Sequence, residues 1–137
     1  MKYLFPLIGL FILTSSQKTY ELEVTVTNIQ NSKGEVQVAI FRKQDNFPDY
    51  GKQYKGIITK VEKGKVTVTF KNLPSNEYAL AAFHDENRNG KMDKSIVGAP
   101  TEDYGFSNDA RRMFSAPSFE EAKFKLGKDK KLSFKLD

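Results

Sequence analysis

Residues 20–28 read YELEVTVTN, and apolar and polar side chains alternate strictly along this stretch. The apolar side chains of Leu22, Val24 and Val26 lie on one face of an extended chain, while glutamate and threonine side chains lie on the other. A period of two residues is typical of a β-strand that buries one face. The stretch therefore predicts a strand that packs one side against a hydrophobic core.

The same alternation recurs along the chain, and short turn sequences that contain Gly, Asn or Pro separate the repeats. It predicts further strands at residues 34–42, 55–61, 65–71, 77–84, 122–126 and 131–136, with a short one at 95–97. The turn NSKG at 31–34 predicts a hairpin between the first two strands, and the turn around Gly127 predicts a closing hairpin. Capping residues predict only short helical turns within 107–122.

These elements predict an all-β fold, an antiparallel Greek-key β-sandwich of seven to eight strands. The expected fold is immunoglobulin-like or prealbumin-like, and the pattern around residues 66–80 is similar to prealbumin-like and collagen-binding B-type sandwiches. We expect eight side chains on the inward faces to form the core: Val24, Val26, Val38, Ile40, Val68, Phe70, Leu80 and Phe134.

Residues 1–16 differ in composition from the rest of the chain. A basic start at Met1-Lys2 is followed by an apolar run at 3–13 and by the small residues Thr14-Ser15-Ser16. This order predicts a secretory signal peptide at 1–16, followed by a single β-sandwich domain at 17–137 in the periplasm or outside the cell. The apolar run is shorter than the roughly 20 residues of a spanning helix, and an N-terminal membrane anchor is the alternative.

Composition narrows the classes of function. The chain has 137 residues, a formal net charge of +5 and no cysteine. Cysteine absence excludes disulfides, thiol catalysis and thiolate metal sites. The basic residues are scattered instead of clustered, so we expect no nucleic-acid partner. We expect a monomer with no membrane span after signal removal, which binds a protein or glycan ligand or contributes to envelope structure.

Residues 83–108, FHDENRNGKMDKSIVGAPTEDYGFSN, hold the densest cluster of polar side chains. Their spacing matches the first part of a calcium loop, in which alternate oxygen ligands surround one cation and a glycine makes the sharp turn. The expected ligands are Asp85, Asn87, Asn89, the backbone carbonyl of Lys91, and Asp93. Ile96 stands where such loops usually have a bidentate glutamate, so Glu102 or Asp103 could complete the shell only if the chain folds back, and we take Glu102 as the expected ligand.

A metal-free hairpin turn is the alternative for this loop. Asn89-Gly90 is a strong turn signal, because both residues tolerate a positive φ. Asn and Asp side chains near such a turn also accept hydrogen bonds from their own backbone. The residues alone leave both interpretations open.

Four ordered segments resemble the domain of unknown function 2141 family. They are HDENRNGKMD at 84–93, GAPTE at 98–102, YGFSN at 104–108 and PSFEEA at 117–122. The resemblance extends from about residue 22 to residue 136. Members of this family are secreted or periplasmic bacterial proteins, so the resemblance implies a compartment and a fold but no reaction.

We expect no catalytic residues, and a hydrolase of unknown substrate is the alternative. Its general base would be His84, the one histidine of the chain, with Asp85 as orienting residue and Ser95, Ser107 or Ser118 as nucleophile. Neighbouring residues of a strand point to opposite faces, so His84 and Asp85 are poorly placed to act together.

Three aromatic residues, Phe47, Tyr50 and Tyr54, lie close together in an irregular stretch. They could form a ligand platform or fold back over the sandwich as a satellite core.

Overall fold

The computed structural model describes residues 17–90 and 102–137, together with Gly9. These residues form eight strands: β1 (Thr19–Ile29), β2 (Glu35–Phe41), β3 (Lys55–Lys60), β4 (Gly64–Pro74), β5 (Asn76–Asp85), β6 (Tyr104–Phe106), β7 (Phe124–Leu126) and β8 (Lys130–Lys135). One short helix, α1 (Phe119–Ala122), and two 3₁₀ turns, Lys43–Asp45 and Ser107–Asp109, complete the elements. The predicted all-β class, strand number and short helical turns are confirmed.

The strands form two sheets that face each other. One sheet has the order β4-β1-β8, and the other has the order β3-β2-β5-β6, with β7 paired to β5. The pairs are antiparallel except for β1 and β8, which run parallel. The predicted antiparallel arrangement therefore holds for every pair among the described strands except β1 and β8. Strand β8 enters its sheet by a crossing connection from β7, so no hairpin fixes its direction. The Greek-key order stays a prediction.

Two predicted hairpins are also wrong. Strand β1 pairs with β4 and β8, whereas β2 pairs with β3 and β5, so residues 30–34 cross from one sheet to the other. Strands β7 and β8 likewise belong to different sheets. Alternation of apolar and polar residues indicates only that one face of a strand is buried. Two strands show the same alternation whether they share hydrogen bonds in one sheet or face each other across a core.

The hydrophobic core lies between the two sheets. All eight predicted core side chains are buried, with at most 7% of any of them exposed, so this prediction is confirmed. A second, smaller cluster joins Ala79 of β5, Phe106 of β6 and Ala122 of α1. It holds the segment after β6 against the face of the second sheet that points away from the main core.

Several predictions fall on residues that the structure does not describe. The signal peptide at 1–16 (apart from Gly9), the short strand at 95–97, and the ligands Lys91 and Asp93 lie outside the described residues. Among the described residues, no helix is long and apolar enough to cross a membrane.

Candidate binding cleft and acidic loop

The acidic loop begins at Asp85, the last residue of β5. Its side chain is fully buried; Oδ1 accepts a hydrogen bond from the Asn89 N–H at 3.2 Å, and Oδ2 accepts one from the Gly90 N–H at 2.7 Å. The turn that follows Asp85 contains left-handed backbone, with φ of 55° at Arg88 and 77° at Gly90. Asp85 therefore caps the turn. A carboxylate oxygen has more than one lone pair, so the same side chain can also bind a cation.

Two more of the predicted ligands contact this turn. Asn87 Oδ1 accepts a hydrogen bond from the Asn89 N–H at 3.2 Å. Glu102 is 8% exposed, and its Oε2 accepts a hydrogen bond from the Glu86 N–H at 2.7 Å. The chain thus folds back and brings Glu102 to the start of the loop. Within residues 17–90 and 102–137, no three His, Asp or Glu side chains converge as a metal site, so calcium binding stays a prediction.

His84 is a buried residue that links β5 to residues 30–34, the connection between β1 and β2 that crosses from one sheet to the other. It is fully buried, and its Nε2 lies 2.5 Å from the Lys33 carbonyl oxygen, so Nε2 is the protonated nitrogen. The other ring nitrogen, Nδ1, lies 3.9 Å from Glu86 Oε1. His84 follows the inward-facing row of β5, whereas Asp85 lies on the opposite face. This arrangement does not provide a histidine–aspartate pair.

The serines proposed for the hydrolase hold backbone groups in place. Ser107 Oγ donates to the Ala122 carbonyl oxygen at 2.5 Å and accepts from the Leu80 N–H at 2.9 Å. Ser118 Oγ accepts from the Glu121 N–H at 3.2 Å and caps α1. The third candidate, Ser95, lies outside the described residues. The Ser107 proton is therefore donated to a carbonyl oxygen, and His84 does not receive it.

A cleft of about 890 Å³ lies on the outer face of the second sheet. Its floor is a row of small residues, because strand register places Ala39 opposite Gly56 on β3 and opposite Ala81 on β5. The next row along the strands has larger side chains, because Gln37 lies between Ile58 and Phe83. The small row therefore forms a trough that runs across the strands.

Two segments wall the cleft. One is the connection between β2 and β3, which contributes Pro48, Tyr50 and Gln53, and the other is 112–116. Large apolar side chains are exposed here: Tyr50 and Ile58 at 59%, Met113 at 87% and Phe114 at 94%. Exposed apolar residues that gather at one place are typical of a binding surface.

The three aromatic residues of the β2–β3 connection serve different purposes. The Phe47 ring makes edge contacts with Phe41 at 5.3 Å and Phe106 at 5.7 Å between ring centroids. Tyr54 stacks on Tyr78 at 6.4 Å. Phe47 and Tyr54 therefore fold back over the sandwich, as the second alternative predicted, whereas Tyr50 lines the cleft.

Gln37 is the polar residue in the second row of the cleft. Its Nε2 atom is buried and has no hydrogen-bond partner in the part of the chain that the structure describes. A Cβ atom placed on Gly90 would lie 4.0 Å from this nitrogen and 3.6 Å from the Tyr50 hydroxyl. The end of the acidic loop therefore borders the cleft next to Gln37.

Two charged side chains of opposite sign, Asp49 and Arg112, line the cleft. Arg112 also forms an ion pair with Glu121. Their hydrogen bond raises the pKa of Arg112 and lowers the pKa of the Glu121 carboxyl. The cleft is therefore close to neutral along the lining that is described.

Sequence reasoning did not find the cleft, because its floor comes from three separate segments. The small residues Ala79 and Ala81 gave a partial signal, since alanine on a strand leaves room for close approach. They did not show which neighbours lie beside them. Gln37 carried no signal in the sequence, because an outward-facing glutamine on a strand is ordinary.

These features define a two-sheet β-sandwich protein with an open cleft on the outer face of one sheet. A family model described as an uncharacterized protein conserved in bacteria (DUF2141) matches residues 24–134. The chain belongs to this domain of unknown function 2141 family, as its motifs predicted. Comparisons with curated proteins and with solved structures gave no match.

Proposed function

We propose that the protein is an exported, non-catalytic binding module whose ligand site is the cleft on the outer face of the β3-β2-β5-β6 sheet. The observation that carries this proposal is the cleft itself, with about 890 Å³ of space beside exposed apolar side chains. Ligand sites usually occupy about 300 to 1,000 Å³ and combine apolar walls with few polar groups. The lining, with Gln37 and Gln53 among apolar residues, fits this description.

Two observations support a non-catalytic role. The lining of the cleft in the described chain includes Asp49 as its one carboxylate and no histidine. Acid–base catalysis needs titratable groups within hydrogen-bond reach of a substrate. His84, the general base of the hydrolase alternative, and Ser107, one of its three candidate nucleophiles, are buried and hydrogen-bonded to backbone atoms. A binding role does not depend on such groups.

Export is part of the proposal, and it is supported by the basic start, apolar run and small residues within 1–16. N-terminal sequencing of the protein recovered outside the cytoplasm tests it. We expect a chain that begins near Gln17. Recovery of intact Met1 in the membrane fraction would replace export with the anchor alternative.

Calcium binding by the loop at 85–93 is the second part of the proposal. The carboxylates of Asp85 and Glu102 both contact backbone N–H groups at the start of the loop, which supports the proposal because calcium prefers such hard oxygen ligands. Without the usual bidentate glutamate, the dissociation constant should fall in the weak range of roughly 10⁻⁴ to 10⁻³ M. Gly90 borders the cleft, so the bound ion would fix one end of the ligand site.

A blocking substitution tests the cleft. Ala39→Leu places a large side chain in the middle of the trough, where Gly56 and Ala81 flank it. We expect an apolar fluorescent dye to bind the unchanged protein and to lose most of its affinity for this variant. The control is Ser133→Leu, which adds a leucine at an exposed position of β8 in the other sheet. Equal dye binding by both variants would contradict the proposal.

A further inference from the structure

Two edge strands, β3 and β4, lie at the same side of the sandwich. Among the described strands, β3 pairs only with β2, and β4 pairs only with β1. The Lys55 ammonium donates to the Lys71 carbonyl oxygen at 3.2 Å, so the two edges lie side by side. An edge strand leaves a row of backbone N–H and C=O groups without strand partners. In the part of the chain that the structure describes, the outer edge of β3 is therefore open to a further strand.

An excess of positive charge lies at this side of the molecule. Residues 52–71 contain six lysines and one glutamate, and their formal net charge of +5 equals that of the whole chain. None of these lysines forms an ion pair within residues 17–90 and 102–137, although Glu35 lies opposite Lys60 on β2. All six are exposed except the half-buried Lys55: Lys52, Lys55, Lys60, Lys63, Lys65 and Lys71. Their charges can therefore attract an acidic partner.

The lysines of β3 stand at its two ends. Lys55 begins the strand and Lys60 ends it, and five residue steps of about 3.3 Å place them about 17 Å apart. The residues between them, GIIT, carry no charge, and Ile58 is 59% exposed. A uniformly charged polymer would meet no cation along this central part of the strand. An extended peptide matches it better, with carboxylates near both ends and uncharged residues between them.

A second copy of the same chain is a poor partner for this edge. In an antiparallel pair of two β3 strands centred on Ile57 and Ile58, each Lys55 would face the Lys60 of the other copy. Like charges that lie opposite each other destabilise a strand pair, and lysine at an edge is a common means of preventing edge-to-edge association. The same lysines favour a strand that carries acidic residues at those positions.

We propose that the outer edge of β3 binds an extended, acidic segment of another protein, which adds to the sheet as a further strand. Backbone hydrogen bonds along β3 provide the affinity, and carboxylates beside Lys55 and Lys60 select the sequence. This inference goes beyond the proposed function, because it concerns the edge of the sheet instead of the cleft on its outer face. Ile58 borders both surfaces, but no lysine lines the cleft in the described chain, so lysine variants separate them.

Charge reversal tests the choice of an acidic partner. The probe is the acetylated and amidated peptide DEVTVTED, and its affinity is measured by calorimetry at about 0.15 M salt. We expect the double variant Lys55→Glu, Lys60→Glu to weaken binding about tenfold, because two attractive charge pairs become repulsive. The control, Lys125→Glu with Lys135→Glu, makes the same change in net charge at exposed positions of β7 and β8. It should weaken binding about twofold at most, since distant surface charges are screened. Equal losses in the two variants would overturn the proposal.

Strand pairing makes a prediction that charge alone does not make. Two further peptides carry backbone N-methyl groups, one on its third and fifth residues and the other on its fourth and sixth, and both keep the charge of the parent. Neighbouring residues of a strand direct their N–H groups to opposite edges, so only one of the two methylated sets faces β3. We expect one peptide to bind the unchanged protein like the parent and the other to bind about tenfold more weakly, because hydrogen bonds are lost. Equal affinities of the two methylated peptides would overturn strand addition.

Amide NMR spectra of the unchanged protein locate the bound peptide. The signals of Lys55–Lys60 should shift, and exchange of their outer N–H groups with heavy water should slow. Shifts centred on β1 and β8 would overturn the proposal. Tighter binding of dextran sulfate than of the peptide would also overturn it and would assign the lysines to an anionic polysaccharide, and dimer formation through β3 would assign the edge to a second copy. Failure of the peptide to bind, while the apolar dye still binds the cleft, would overturn this proposal and leave the proposed function in place.

Discussion

Gly34 lies where the chain crosses from the first sheet to the second. Its φ is 71°, and a Cβ atom added there would lie 2.0 Å from the Asp85 carbonyl oxygen. The crossing connection therefore packs directly against the end of β5, where the acidic loop starts. His84 supports the same contact, because its ring donates to the carbonyl of Lys33.

Gly34→Ala should destabilise the protein much more than Gly51→Ala. Gly51 also has a positive φ, 84°, but nothing lies within 4 Å of an added Cβ atom, so it is the matched control. The left-handed conformation alone costs about 1 to 2 kcal/mol for alanine. We expect Gly51→Ala to lose about that free energy of unfolding in urea denaturation, and Gly34→Ala to lose clearly more because the backbone must shift. Equal losses would contradict the close packing at Gly34.

Tyr78 makes stability depend on pH on the alkaline side. Burial raises its pKa above the ordinary value of 10.0, and the neighbouring Tyr54 adds to this effect. The folded state thus holds the phenol proton more tightly than the unfolded state. Its contribution is complete below the ordinary pKa and is lost as the pH rises through the folded pKa.

Tyr78→Phe should therefore flatten the loss of stability above the ordinary tyrosine pKa of about 10, measured by urea denaturation across that range. At neutral pH the variant should lose about 1 kcal/mol, because the hydroxyl donates to the Pro74 carbonyl oxygen. The other tyrosines are the same in both proteins and provide the reference. An unchanged slope would show that Tyr78 does not govern the alkaline loss.

At the level of elements, the sequence predicts strands better than it predicts their partners. The buried face of β1 can be predicted from its own residues, because Leu22, Val24 and Val26 alternate with polar residues and this pattern does not depend on distant parts of the chain. The neighbours of a strand are set by long-range contacts, so the turn sequence at 31–34 predicts a hairpin where the structure has a crossing between the two sheets. The trough depends on the register of three strands, so it could not be predicted for the same reason.

The acidic loop is the element on which the calcium proposal depends. At calcium about a hundredfold above the dissociation constant, the free energy of unfolding should rise by on the order of 2.7 kcal/mol. Asp85→Ala should abolish this gain in thermal melts with and without calcium. It should also lower the metal-free melting temperature, since Asp85 accepts two backbone hydrogen bonds.

A second variant separates the two roles of Asp85. Asp85→Asn keeps an oxygen that accepts hydrogen bonds but removes the negative charge. We expect it to retain more of the metal-free stability than Asp85→Ala and to lose the response to calcium. A melting temperature of the unchanged protein that does not respond to calcium would reduce the loop to a capped turn.

For the whole molecule, the proposed function assigns different roles to the two faces of the second sheet, the inward face to the main core and the outward face beneath the cleft to ligand binding. The inward face packs against the other sheet, with Val38, Ile40 and Leu80 fully or almost fully buried. The outward face presents Ala39 and Ala81 only partly buried beneath the cleft. Substitutions in the cleft should therefore change ligand binding with little effect on folding, whereas inward substitutions should act mainly on stability.

The location of bound ligand on the sheet tests the central claim most directly. In amide NMR spectra recorded as the small apolar ketone butyrophenone is added, we expect the shifted signals to cluster on β2, β3 and β5 around Ala39, Gly56 and Ala81, and in residues 112–116. Signals of the β4-β1-β8 sheet should stay in place. Shifts centred on that other sheet, or no shifts at saturating probe, would contradict the assignment of the cleft as the ligand site.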